Sequence, residues 1–122
     1  MTATATQIAR LRRMVAEPTT DTYDDDALST LIEEYPLTDS DGYESDEDDW
    51  TATYDLHAAA GDVWEEKAAS VANRMDFDAD GGNFSASQLY DQYQRSAAYH
   101  LARRSAASRV VVIAPEIVTD AD

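Results

Sequence analysis

Apolar residues recur at steps of three and four along the stretch 54–75. Leu56, Ala60, Val63, Trp64, Ala68, Val71, Ala72 and Met75 mark one stripe, which is the period of an α-helix buried along one side. Asp55, Asp62, Glu65, Glu66 and Asn73 fall on the opposite, water-facing side of that pattern. Ala58, Ala59 and Ala60 favour helix and allow a neighbouring helix to come close. The pattern predicts one long central helix with shorter helices packed on it. Trp64 is the largest apolar group of the stripe and its expected core anchor.

The same period predicts three more helices. Thr6 can cap one running to about Ala16, with Ile8, Leu11 and Val15 inward and Glu17-Pro18 ending it. Asp24 is a good cap for a second, and Asp25 and Asp26 suit the positive end of its dipole. Ala27, Leu28, Leu31, Ile32 and Tyr35 form its apolar face, and Pro36 stops it. Residues 37–53 read as a long polar loop rich in Asp and Glu, with Trp50 as its anchor to the core and Thr53 as cap of the central helix. A last helix is expected over about 86–104. Ser85 and Gln88 are its capping box, and Leu89, Tyr90, Tyr93, Ala97, His100 and Leu101 its inner side. Arg103 and Arg104 suit its negative end.

The period then changes. Residues 109–118, RVVVIAPEIV, are β-branched and apolar and read as an extended segment interrupted by Pro115. A lone strand is not stable in water, and no hairpin partner is visible in the chain, so the segment points to contact with another chain. The expected architecture is all-α: a small antiparallel bundle of about four helices over residues 1–107, with an extended arm over 108–122.

Composition alters the picture through charge. Twenty-five acidic residues oppose nine basic ones, for a net charge of −16, and Lys67 is the only lysine. The acid is spread along the chain. Salt screens such self-repulsion, so few lysines with many Asp, Ala and Thr fit a halophilic cytoplasm. A second explanation is mimicry of DNA by an inhibitor of a DNA-binding protein. That requires carboxylates on a rigid surface, whereas many here fall in the 37–53 loop. With no cysteine, disulfides and thiolate chemistry are excluded. No membrane-length apolar run and no signal-peptide core is present, so a soluble protein is expected.

Candidate chemistry is sparse. Arg10, Arg12 and Arg13 place three of the nine basic residues on the first helix. They are either ion-pair partners of the acidic remainder or a docking surface for an acidic neighbour. Asp76, Asp78, Asp80 and Gly81 match the first half of a calcium loop, but Ser87 stands where the bidentate Glu belongs, so a tight turn is expected instead of a calcium site. His57 and His100 are the only histidines, and neither has a visible partner set for metal binding or catalysis. No nucleophile–base set or phosphate loop is present, and neither an enzyme nor a cofactor is implied.

Taken together, QIARLRRMVAEPTT, YDDDALSTLIEEYP, WTATYDLHAAAGDVWEEKAA and DFDADGGNFSASQLYDQY resemble the small helical head-to-tail connector (adaptor) proteins of tailed viruses, over about residues 7–104. The resemblance implies a virion protein of the neck, assembled in the host cytoplasm into a ring, usually of twelve copies. Its partners would be further copies of itself, the portal protein, and a tail, stopper or head-completion protein. The genome would pass through the ring without specific binding, and an acidic lumen would repel its phosphates. The residues expected at interfaces with portal or an adjacent subunit are Arg10, Arg12, Arg13, Arg109, Val110, Val111, Val112, Ile113, Ile117 and Val118.

Overall fold

A computed structural model describes residues 3–77 and 84–106, with side chains omitted over 74–77 and 84–86. Four helices follow in order: α1 (Ala5–Met14), α2 (Asp25–Glu33), α3 (Leu56–Phe77) and α4 (Phe84–Arg103). No strand occurs among the described residues, and the expected all-α bundle around a long central helix is what the chain forms. The arm over 108–122 lies outside the described residues.

α3 and α4 make the principal contact of the bundle and run antiparallel: His57 meets His100, Gly61 meets Leu101, and Trp64 meets Tyr93. Gly61 is what lets the two backbones approach. A Cβ there would lie 2.5 Å from Leu101 Cδ2 and 2.8 Å from its Cγ. α1 and α2 cover the other side of α3 with Leu11, Val15, Leu28 and Ile32, all fully buried against Val63 and Trp64. Alanine is inside as well, because Ala58, Ala59 and Ala60 are all buried. The first turns of α3 are therefore enclosed on more than the predicted stripe.

Several helix ends differ from expectation. α1 is capped by Thr4, not Thr6, through a box in which the Thr4 hydroxyl accepts from Gln7 N–H and the Gln7 side chain accepts from Thr4 N–H. The box needs a Gln or Glu three residues on, which Thr4 has and Thr6 lacks. Ala16 closes the helix with φ 57°, a left-handed turn ahead of Pro18. Asp24 caps α2 as expected, accepting from Ala27 N–H at 2.8 Å, but Ala27 itself is exposed. α3 is capped by Asp55, which accepts from Ala58 N–H at 3.2 Å, while the Thr53 hydroxyl donates to the Thr51 carbonyl. Asp55 is only 5% exposed, in place of its expected position in water. α4 begins at Phe84, so Ser85 falls inside the helix and does not cap it.

The 37–53 loop is tied down rather than loose. Its neck closes through Leu37 N–H to the Thr53 carbonyl (2.8 Å) and Asp55 N–H to the Tyr35 carbonyl (2.9 Å). Asp39 is buried, and its carboxylate accepts from the N–H groups of Asp41, Tyr43 and Thr51 at 2.8–2.9 Å. Those bonds, led by Thr51, hold its pKa below the ordinary aspartate value. Gly42 turns the chain at φ 90°. Trp50 is the anchor the sequence suggests: it is buried, donates to the Leu37 carbonyl at 2.8 Å, and meets Tyr54 edge-on at 5.5 Å. The loop presents Asp41, Glu44, Asp46, Glu47, Asp48 and Asp49 to solvent on this fixed frame.

Candidate functional site: a cationic and aromatic cleft

Beside the start of α3 lies an open cleft of about 520 Å³, walled by α1 and the last turns of α4. Arg10 enters from α1, His57 from α3, and Tyr99, His100 and Arg103 from α4. Helical spacing explains the α4 group: Tyr99 and Arg103 are four residues apart and share a face. The Arg103 guanidinium stacks on the Tyr99 ring at 3.6 Å and also donates to the Tyr99 carbonyl at 3.0 Å. Tyr99 is nevertheless 51% exposed, the most exposed large hydrophobic residue described.

His57 and His100, 43 positions apart, face each other with 3.0 Å between their Nδ1 atoms. The ring centroids are 5.2 Å apart, close to that contact plus the two ring radii, so the nitrogens meet head-on. This is hydrogen-bond geometry; two ligands of one metal would converge on a point to the side. One Nδ1 carries the shared proton and the other the lone pair, the roles being set by the tautomers. Burial pushes the His100 pKa down, and repulsion from His57 and Arg103 adds to it. A second proton on the pair would set two N–H groups against each other. The two histidines are thus each other's hydrogen-bond partner, a contact that their 43-residue separation hides in the sequence.

Asp55 is the one carboxylate lining the cleft among the described residues, and it is engaged there. Besides capping α3, it accepts from Ser105 N–H at 2.6 Å and so ties the end of α4 to the start of α3.

The three arginines of α1 part company. Arg10 is exposed at the cleft. Arg12 turns inward, its side chain only 11% exposed. It donates to the Glu17 and Thr19 carbonyls at 3.1 and 2.6 Å and pairs with Asp25 at 2.7 Å. Arg13 is exposed and borders a separate shallow groove with Ala9, Ala16 and Pro18. Trp64 is 9% exposed and anchors the core, its indole donating to the Met14 carbonyl at 3.2 Å. Arg109, Val110, Val111, Val112, Ile113, Ile117 and Val118 lie outside the described residues, as do Asp78 and Asp80. Asp76 belongs to the last turn of α3.

One further cationic group is built around the sole lysine. Lys67 donates to the Val15 carbonyl at 2.9 Å, pairs with Glu17 at 2.8 Å, and sits 4.3 Å above the Trp64 ring. It thereby caps the C-terminus of α1, where helix carbonyls lack partners. Its status as the sole lysine was the available signal.

No family model, curated protein or solved structure matches the chain. No helix among the described residues is long and apolar enough to cross a membrane.

Proposed function

We propose that this chain is a structural subunit of a virion neck, a head-to-tail adaptor that assembles side by side into a ring between the portal and the tail or stopper. The observation that carries the reading is the contrast between a closed small bundle and an open, exposed cleft built from Arg10, Tyr99 and Arg103. Arginine and tyrosine are the residue types that anchor protein interfaces. Further support comes from the apolar 109–118 segment, which reads as extended with no hairpin partner visible in the sequence, and from the resemblance of the helix sequences to those adaptors. The net charge of −16 suits a lumen that lets DNA pass, and a host cytoplasm rich in salt. The reading assigns the chain no reaction. Electron microscopy of the purified protein, alone and mixed with its portal, tests it: rings with a central channel are expected, and particles that stay single subunits in both samples would overturn it.

The fixed 37–53 loop favours a second reading. Inhibition by DNA mimicry needs carboxylates on a rigid surface, and the Asp39 and Trp50 bonds supply rigidity there. That reading expects a monomer that displaces DNA from a basic DNA-binding protein in a salt-sensitive way.

A further inference from the structure

We infer that the cleft lined by Arg10, Tyr99 and Arg103 receives the acidic 41–49 rim of a second copy of this chain. The inference rests on the ring reading and names one contact that would build it.

Charge supplies the first ground. Only nine residues of 122 are basic. Two of those nine, with both histidines, line this one cleft. Its single described carboxylate, Asp55, is occupied by Ala58 and Ser105 N–H groups, so it does not consume the guanidiniums. The two ion pairs among the described residues, Arg12–Asp25 and Lys67–Glu17, join neither the cleft nor the rim.

The rim supplies the second. Asp41, Glu44, Asp46, Asp48 and Asp49 are exposed, and Tyr43 beside them is 36% exposed. Three backbone bonds to Asp39, the Trp50 indole bond and the closed neck hold this surface in place. A fixed acidic loop loses little conformational entropy on docking. Carboxylates can take the outer edges of the guanidiniums, with charge-assisted bonds. The Arg103–Tyr99 stack offers a flat face to Tyr43, a part of the contact that salt does not screen.

Each copy carries one cleft and one rim. A contact between the two surfaces is therefore head-to-tail and closes into a ring when its rotation divides a full turn.

Reciprocal charge exchange tests this. One variant carries Arg10→Glu and Arg103→Glu, a second carries Asp41→Arg, Glu44→Arg and Asp48→Arg, and a third carries all five. Glu47 is left alone because its carboxylate accepts from Glu44 N–H. Sedimentation equilibrium reads self-association at one fixed salt concentration, and circular dichroism reads helix content. Each partial set should weaken association by about tenfold or more, and the full exchange should restore it to within a few-fold of wild type. Arg10→Gln with Arg103→Gln should give an intermediate loss, and covers the case in which reversal disturbs folding. Because the chain has no cysteine, Arg103→Cys on one tagged copy and Asp48→Cys on another should cross-link selectively. Wild-type rings left unchanged by both partial sets would overturn the contact while the ring reading stands. Failure of the five-fold exchange to restore a lost association would overturn it too. A wild type that never self-associates and never cross-links would remove both.

Discussion

Two cationic regions of the molecule use the same residue types in opposite ways. At the junction of α1, α3 and α4, Lys67 is enclosed: it pairs with Glu17, caps α1 through the Val15 carbonyl, and sits over Trp64. Arg12 is enclosed nearby, tied to Asp25 and to two carbonyls of the 17–19 turn. At the cleft, Arg10 and Arg103 are exposed, and no carboxylate among the described residues pairs with them. Partners decide the difference. Lys67 and Arg12 lie where helix ends leave carbonyls unsatisfied, so their charge is consumed in folding. The cleft guanidiniums share their cleft with one described carboxylate, Asp55, which backbone N–H groups hold. In an acidic chain, a cation without a carboxylate of its own is positioned to take one from elsewhere.

Substitutions can break this contrast. The largest effect is expected from Trp64→Ala at the enclosed junction, which should cost about 3–5 kcal/mol and lower Tm steeply in a thermal melt. Lys67→Met keeps most of the volume but leaves the Val15 carbonyl and Glu17 unpartnered. It should cost about 2–3 kcal/mol by denaturant titration, and a loss below about 0.5 kcal/mol would return Lys67 to the class of ordinary surface charges. Gly61→Ala gains about 1 kcal/mol of helix propensity but drives a methyl into Leu101 at a cost of about 1–3 kcal/mol. A net loss is expected, and a clear rise in Tm would show that α3 and α4 are less closely packed than described.

A smaller effect should appear with pH, and its sign follows from His100. The folded chain holds His100 below its ordinary value, chiefly through burial, so the unfolded chain binds the proton more readily. The stability it contributes is complete above about pH 6.5 and is lost as pH falls through that value towards the lower folded one. Between pH 7.5 and 5.5 the wild type should therefore lose more Tm than His100→Gln. Equal losses would mean that the imidazole pair does not couple to folding. Arg10→Glu with Arg103→Glu should change subunit stability least, by under about 0.5 kcal/mol, as exposed positions do.

Much of the helical fold is legible in the sequence because each helix carries its own period and stops. Asp24 reads as a cap and is one, and Trp50 and Trp64 read as anchors and are buried. Helix starts were less legible. Thr53 and Thr6 are acceptable caps in isolation, and what displaced them was a better-placed acceptor two residues away: Asp55 for α3 and Thr4, with its Gln7 partner, for α1. Asp55 also needed Ser105, 50 positions on, to make its burial worthwhile. The cleft was hardly legible at all. Arg10, Arg12 and Arg13 look alike along the chain, and only the fold turns Arg12 inward. His57 and His100 acquire a role only when α3 and α4 bring them within 3.0 Å. Within α4, by contrast, Tyr99 and Arg103 carry the four-residue spacing of a stacked pair.

Self-association across a salt series tests the assembly reading most directly. The net charge of −16 makes copies repel in dilute buffer. At about 0.15 M salt the screening length is about 8 Å, and at about 1 M it falls to about 3 Å, so the net repulsion between whole acidic surfaces and the few cleft–rim ion pairs both fade while apolar and stacked contacts persist. Sedimentation velocity of the purified chain from dilute to molar potassium chloride should show one closed oligomer that becomes more stable as salt rises. A ring that forms in dilute buffer and falls apart in molar salt would show that attraction through arginines outweighs acidic self-repulsion. A chain that remains a monomer at every salt and protein concentration would contradict assembly itself.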